Sequence, residues 1–398
     1  EYEQWLESHQ PFHWFAEFYE IINGNGGFDV IIGNPPYVVY NLKSLKYKIK
    51  NFKTLNCSNL YAFCSERAML ILNKKFGKFG FIFPNSSISA GKMYELQKIL
   101  ISKKNTWISN YSWRPSKLFE GADMLLAIAI CFFSDQNERL YSTQYYKWYN
   151  EYRPNLFDNL MYEDVKKLTI IGSIPKIPHL FSKNIIYKIM QNNYNMYYFK
   201  SSMKTKYVLY YFRAVQYWIK ILDTLPIFKE DGQSRITGEM KPIYFDDTKK
   251  RYVFLSLLSS NLFFLHYIIW SSCQVINNRD FKLNFNYNKL ESKISDNLCS
   301  IGRELEGDYQ KNSKIIIRNY SKKSRTFQME KQHFFIKKSK SLIDEIDKVL
   351  AKHYGFTEEE LDFIINYDIK YRMGKELLNN ENEKENEQLI KNNNSFLK

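Results

Sequence analysis

Four consecutive residues, Asn34-Pro35-Pro36-Tyr37, hold the clearest chemistry in this chain. Asparagine brings a side-chain carbonyl oxygen, and the first proline brings a backbone carbonyl on a segment unable to continue a sheet ladder. Two acceptors held this way can engage both N–H bonds of an amino group whose lone pair is conjugated into a ring, such as the exocyclic amine of adenine. Aimed where positive charge develops on that nitrogen, they act as preorganised electrostatic catalysis, the inverse of an oxyanion hole. Tyr37 offers an aromatic face for a base taken out of its stack. The chemistry indicated is alkylation of a weak nucleophile, methyl transfer above all, with no need of a metal or a covalent enzyme intermediate.

Such groups need a stiff support. Residues 28–34, Phe-Asp-Val-Ile-Ile-Gly-Asn, form a short β-branched and aromatic run without helical period, as expected of a central parallel strand buried on both faces. Gly33 marks its carboxyl end. The two prolines then hold the chain extended in the crevice above the sheet, where α/β ligand sites lie. Upstream, a helix over 12–22 runs into the glycine-rich stretch 23–27, which reads as a helix stop and turn. Downstream, the pattern predicts a helix over 59–72, a strand over 79–83, a helix over 93–101, and strands over 107–113 and 125–133 as a closing antiparallel pair.

At Asn34 to Tyr37 the chain resembles the amino-methyltransferases of DNA, whose motif is Asp/Asn/Ser-Pro-Pro-Tyr/Phe/Trp after the fourth strand of a Rossmann-like sheet. Within that class it is similar to the carboxyl-terminal portion of the adenine-specific enzymes of type IIG restriction-modification systems. The flanks that carry the resemblance are Gln10-Pro11-Phe12-His13-Trp14, Asn59-Leu60-Tyr61-Ala62-Phe63, Phe79 to Ser86, Ser112-Trp113-Arg114-Pro115 and Leu118-Phe119-Glu120-Gly121. The resemblance implies S-adenosylmethionine as methyl donor and double-stranded DNA as partner. It implies that Asn34, Pro35 and Pro36 orient and polarise the amine, that Tyr37 stacks on a flipped adenine, and that Phe119 closes the other side of the pocket. Ile32 and Gly33 would line the cofactor side. The same tetrapeptide occurs in enzymes that methylate RNA bases or protein glutamine, so it fixes the reaction better than the substrate.

The chain also departs from that pattern. It has no glycine-rich loop after an early strand and no acidic residue one βα unit later, the features that hold S-adenosylmethionine in a complete enzyme. It opens at Glu1, so the expectation is the carboxyl portion of a longer enzyme or of a split subunit, with the first three strands in a missing amino-terminal segment or a partner subunit. The strand over 28–33 would then leave a bare apolar edge, and the chain alone would bind the cofactor weakly or not at all.

The fold class expected is therefore α/β: the second half of a Rossmann-like methyltransferase sheet over 1–145, an α+β target-recognition domain over 151–335, a helical region over 336–374 and a disordered tail over 375–398. A composition shift near residue 145 and the turn signals that follow suggest the first boundary, with strands near 242–245 and 251–258 beyond it. In the recognition region Arg279 could reach a guanine edge or a phosphate, and Asn277 or Asn278 could pair with adenine. Thr357 with Glu360 reads as a capping box.

A net charge of +15 and a pI near 9.2 suit a phosphate-binding partner, although abundant Lys, Asn, Ile and Tyr are also what an AT-rich coding sequence produces. Lys200, Lys204, Lys206 and Arg213 interleave with aromatic residues over 198–212, a mixture that suits either nucleic acid or a core. The five cysteines and six histidines show no metal-ligand spacing, so no metal is expected. With a mean hydropathy of -0.46 and no apolar run near the length of a membrane span, a cytoplasmic, non-membrane protein is expected. Two other functions fit the same residues: a DNA-specificity subunit or fragment without activity of its own, and a methyltransferase of RNA adenine.

Overall fold

A computed structural model describes residues 1–10, 12–41, 48–121, 123–134, 138–322 and 325–374. The tail expected over 375–398 and Pro11 of the upstream flank lie outside the described residues. The chain divides into two compact units, Glu1–Pro178 and His179–Lys398.

The first unit is built on a six-stranded mixed sheet in the order β1-β2-β4-β3-β5-β6. Strand β1 (Val30–Gly33) runs parallel to β2 (Lys78–Pro84), and the connection passes through the helix Leu60–Ile71, as a parallel pair requires. Along β2, Phe79, Phe81 and Phe83 alternate onto one buried face. Strand β3 (Lys104–Tyr111) follows the helix Tyr94–Ile101, and β4 (Leu126–Phe133) inserts between β2 and β3, antiparallel to both. The sheet continues through β5 (Leu140–Tyr146), parallel to β3, and β6 (Tyr162–Asp164).

Three local expectations change. The break anticipated between 145 and 151 falls inside this unit, because the aromatic and polar run over 140–146 is a strand: Leu140, Ser142, Thr143 and Tyr145 are buried and the residues between them are not. The helix expected over 12–22 is two shorter pieces, Trp14–Glu17 and a π-helical turn Glu20–Gly24, separated where Phe18 leaves helical geometry (φ -115°, ψ 37°). The strand expected to be buried on both faces is the sheet's outer strand, with Val30 59% and Ile32 82% exposed.

The second unit holds a three-stranded antiparallel sheet, with β7 (Tyr207–Phe212) between β11 (Met240–Phe245) and β8 (Ile221–Leu222). A four-stranded sheet has the order β10-β9-β13-β12, from β9 (Phe228–Glu230), β10 (Gln233–Ser234), β12 (Ser313–Lys322) and β13 (Arg325–Phe334). The helices Thr248–Ser259, Asn261–Trp270, Ser292–Lys311, Lys340–Tyr354 and Glu358–Asn366 make its core.

Residues 251–258, expected as a strand, are helical. Asp247 caps that helix by accepting from the Lys250 amide at 2.7 Å, and Val253 to Ser259 are all buried, so no polar phase reveals the helical period. The capping box of Thr357 and Glu360 forms as the sequence predicts. The helices over 336–374 pack against Ser292–Lys311 and the pair over 248–270, within one unit with them. Among the described residues no single helix is long and apolar enough to cross a membrane, and the apolar pair over 248–270 is bent by 62° and largely buried.

Candidate active site

Strand β1 ends at Gly33 opposite Phe81, and Asn34 to Tyr37 follow as coil at the carboxyl end of the sheet. Two bonds fix the far side of this loop: Val38 accepts from the Leu60 amide and Ser58 accepts from the Tyr40 amide, both at 2.9 Å. The first of these satisfies one of the open amides at the start of the helix Leu60–Ile71, tying the loop to the βα crossover. Pro35 is buried, whereas Asn34 and Pro36 are exposed. Among the described residues no hydrogen bond engages the Asn34 side chain or the Pro35 carbonyl, so both acceptors stand available on an anchored turn.

Tyr37 is held more firmly than the sequence suggests. One residue beyond the last β1 partner on β2, the Ile82 carbonyl accepts the Tyr37 hydroxyl at 3.1 Å. The ring packs against the cluster of Tyr111, Leu118, Leu126, Trp148 and Leu156 and meets Tyr61 edge-on at 6.3 Å. Burial pushes the Tyr37 hydroxyl up to about 12, so it remains a protonated donor through the neutral range. The side chain is thus partly structural and partly exposed.

The later motif is positioned by Arg153, whose guanidinium donates to the carbonyls of Lys117 (2.9 Å) and Leu118 (2.6 Å). Leu118 is part of the cluster under Tyr37, so the following residue, Phe119, leaves the same cluster and is 39% exposed. Upstream, Trp14 and Phe18 make edge contacts with Phe28 just before β1, and Phe15 lies under the Arg67 guanidinium. The aromatic flank of the motif therefore supports the base of β1 and its crossover helix.

Sequence reasoning assigns no role to Asn85. The residue sits directly after β2, fully buried, with both side-chain amide atoms unpartnered among the described residues. Its backbone is fully used, the amide donating to Leu125 and the carbonyl accepting from the Ser89 hydroxyl. The signal in the sequence is an amide residue at the carboxyl end of the strand beside the motif.

Ile32 and Gly33 both lie at the end of β1, Ile32 in the open and Gly33 over the Phe81 ring, which an added Cβ would meet at 3.4 Å. Arg279 lies in the other unit, 3.7 Å from the Asp280 carboxylate, which closes a capping box with Asn277. Asn278 accepts from Tyr197 and Tyr211. In the basic and aromatic stretch, Phe199 and Tyr211 enter the core while Tyr198 is 65% exposed.

Residues 1–119 match the family model described as Eco57I restriction-modification methylase. The resemblance read at Asn34 to Tyr37 and its flanks is to a family of this kind. A protein of Methanocaldococcus jannaschii named as a type II restriction enzyme and methyltransferase is 34% identical over 117 residues, which cover 29% of this chain and 10% of that protein. Among solved structures, the type IIL restriction-modification enzyme MmeI in complex with DNA is similar at a TM-score of 0.44 and 11% identity, over 86% of this chain and 57% of that one. The DNA-bound type ISP enzyme LlaBIII is similar at 0.32 and 11% identity, over 76% and 33%.

Proposed function

We propose that this chain carries the amine-activating part of a site-specific, adenine-specific DNA methyltransferase of a restriction-modification system. The observation that carries the reading is the pair of unclaimed acceptors, the Asn34 amide and the Pro35 carbonyl, on a turn anchored by Tyr37 and by the start of the helix Leu60–Ile71. With both N–H bonds of a flipped adenine amine engaged there, the nitrogen lone pair is freed toward the donor and the charge growing on nitrogen meets two oxygens. Pro36 keeps the turn extended. Tyr37 and Phe119 border the base.

S-adenosylmethionine, when bound, would supply an electrophilic methyl group, and Ile32 and Gly33 would be its neighbours at the end of β1. The residues present fit the amine-facing side of such a pocket. The glycine-rich loop and the acidic residue that would cradle the donor are not recognisable in this chain, so the reading includes further strands paired along the free edge of β1, from a preceding segment or a partner subunit. The terminal place of β1 in the sheet order, with no strand paired on its outer edge among the described residues, supports that pairing. A cytoplasmic location goes with this reading.

The test is sequencing of adenine methylation in a methylation-free bacterial host expressing this chain within its surrounding coding sequence. One DNA motif should be methylated, and Asn34→Ala should abolish the signal. Full methylation by Asn34→Ala would overturn the role of the turn, and methyl transfer confined to RNA would overturn the choice of substrate.

A further inference from the structure

The hairpin of β12 and β13 sorts its charges by face. Ser313 pairs with Phe334 and Lys322 with Arg325, so ten residues of each strand form one antiparallel ribbon. Residues directly opposite share a face, and the face alternates along each strand. One face therefore carries the pairs Lys314 with His333, Ile316 with Lys331, Arg318 with Met329, and Tyr320 with Phe327. The other carries Ile315 with Gln332, Ile317 with Glu330, and Asn319 with Gln328. Across these seven pairs, the cations sit on one side of the ribbon and the single acid on the other.

The neighbouring β9 places one acid, Glu230, beside Met329 on the basic side, where it pairs with Arg325, and among the described residues the other cations of that side are not neutralised. Among the described residues no carboxylate pairs with Lys314, Arg318 or Lys331, whereas Arg325 is engaged by Glu230 and Asp231. Lys331 lies over the rings of Phe228 and Tyr320, at 5.3 and 5.9 Å. The field is felt locally: after burial, the charges of Lys220, Arg318 and Lys331 hold the His333 imidazole below its ordinary value. Tyr320 and Phe327 stack on each other, 5.9 Å apart at 19°.

We infer that this basic face of the β12–β13 ribbon is a docking surface for duplex DNA. The inference rests on the DNA-methyltransferase reading and adds the element that grips the substrate. β12 is the outer strand of its four-stranded sheet, so its edge and the basic face beside it can approach the phosphates that border a B-form groove. At about 3.4 Å per residue, Lys314 and Arg318 stand roughly 14 Å apart along the strand, so they meet different phosphates. The ribbon falls within residues 151–335, where a target-recognition region is expected, but includes none of the residues the sequence singles out there, Arg279 and the stretch over 198–213.

The experiment is fluorescence anisotropy of the full chain with a labelled duplex and with one of its strands, between 50 and 300 mM salt. The triple variant Lys314→Ala/Arg318→Ala/Lys331→Ala should weaken duplex binding at least tenfold at 100 mM salt. Its log–log salt slope should shrink by about 2 to 3, near 0.9 for each phosphate no longer neutralised. The charge-preserving Lys314→Arg/Lys331→Arg and the opposite-face Asn319→Ala/Gln328→Ala should bind within twofold of the parent, which separates lost charge from lost folding. An unchanged affinity and slope in the triple variant, no duplex binding by the parent chain, or tighter binding of the single strand would each overturn the inference. Methylation by Asn34→Ala addresses the methyl-transfer reading alone, so the two can fail separately.

Discussion

Replacing Tyr37 separates what its hydroxyl does from what its ring does. Tyr37→Phe keeps the ring against the Tyr111, Leu118 and Leu126 cluster and removes the bond to the Ile82 carbonyl. One neutral hydrogen bond contributes about 0.5–1.5 kcal/mol, so this variant should lose about 1 kcal/mol. Tyr37→Ala also removes the ring. A fully buried aromatic side chain covers roughly 150–250 Å². Tyr37 is half-buried, so about 100 Å² at ~25 cal/mol/Å² gives about 2.5 kcal/mol, and the total loss should be about 3.5 kcal/mol.

The assay is urea unfolding of each variant together with tritiated methyl transfer from S-adenosylmethionine to duplex DNA by the chain in its native coding context, at a temperature where all variants are folded. If the hydroxyl only anchors the turn and the ring borders the base, Tyr37→Phe should keep transfer within about fivefold, because stacking is a property of the ring. Tyr37→Ala should lose about a hundredfold, corresponding to roughly 2–3 kcal/mol of lost base positioning. Equal loss of transfer in Phe and Ala would refute the argument, since the hydroxyl would then act in the chemistry. Equal stability of all three would refute the packing account.

Two further predictions concern the second unit. Asp347 is buried and accepts from the amides of Asn261 and Leu262, both at 2.9 Å, and from the Asn261 side chain at 2.8 Å, closing the start of the helix Asn261–Trp270 from a distant element. Asp347→Ala leaves these donors buried and should cost about 2–4 kcal/mol in chemical denaturation; a cost below about 0.5 kcal/mol would show that water replaces the carboxylate. Asp223 is pushed up to about 7, first by burial and then by the neighbouring Glu306, against the opposing pull of Arg251. Its carboxyl holds a proton more tightly in the folded chain, so its contribution is fully present below the unfolded value of 3.8 and is lost as pH rises toward about 7. Thermal unfolding across pH 4 to 8 should show that loss, and Asp223→Asn should flatten it; an unchanged profile would assign the dependence to other groups.

The parts legible in the sequence are those where a constraint is local. The Pro-Pro pair ends β1 at Gly33 because neither residue can donate to a ladder, and Thr357 with Glu360 caps the last long helix through neighbouring atoms alone. The parts that were not legible depend on what arrives from elsewhere. Residues 251–258 lack a helical period because Val253 to Ser259 are covered on all sides. Strand Leu140–Tyr146 hides in Tyr, Thr and Gln because its sheet neighbours, not its own apolar content, bury it. The charge sorting of the ribbon exists only once Lys331 is set beside Ile316 on the paired strand.

The candidate site shows the same division within a single tetrapeptide. Freedom of the Asn34 amide and the Pro35 carbonyl follows from the residues themselves, since a segment without proline N–H groups recruits no neighbouring strand. Free acceptors alone would reorient toward water and lose their preorganisation, so they need rigid neighbours that share none of their atoms. Tyr37 on the Ile82 carbonyl and Val38 on the Leu60 amide supply this from β2 and from the crossover helix. Both anchors bind the turn downstream of Pro36, and the pairing of β1 with β2 binds it upstream at Gly33. What lies between is held at both ends and claimed at neither acceptor, the arrangement that an amine with two N–H bonds requires.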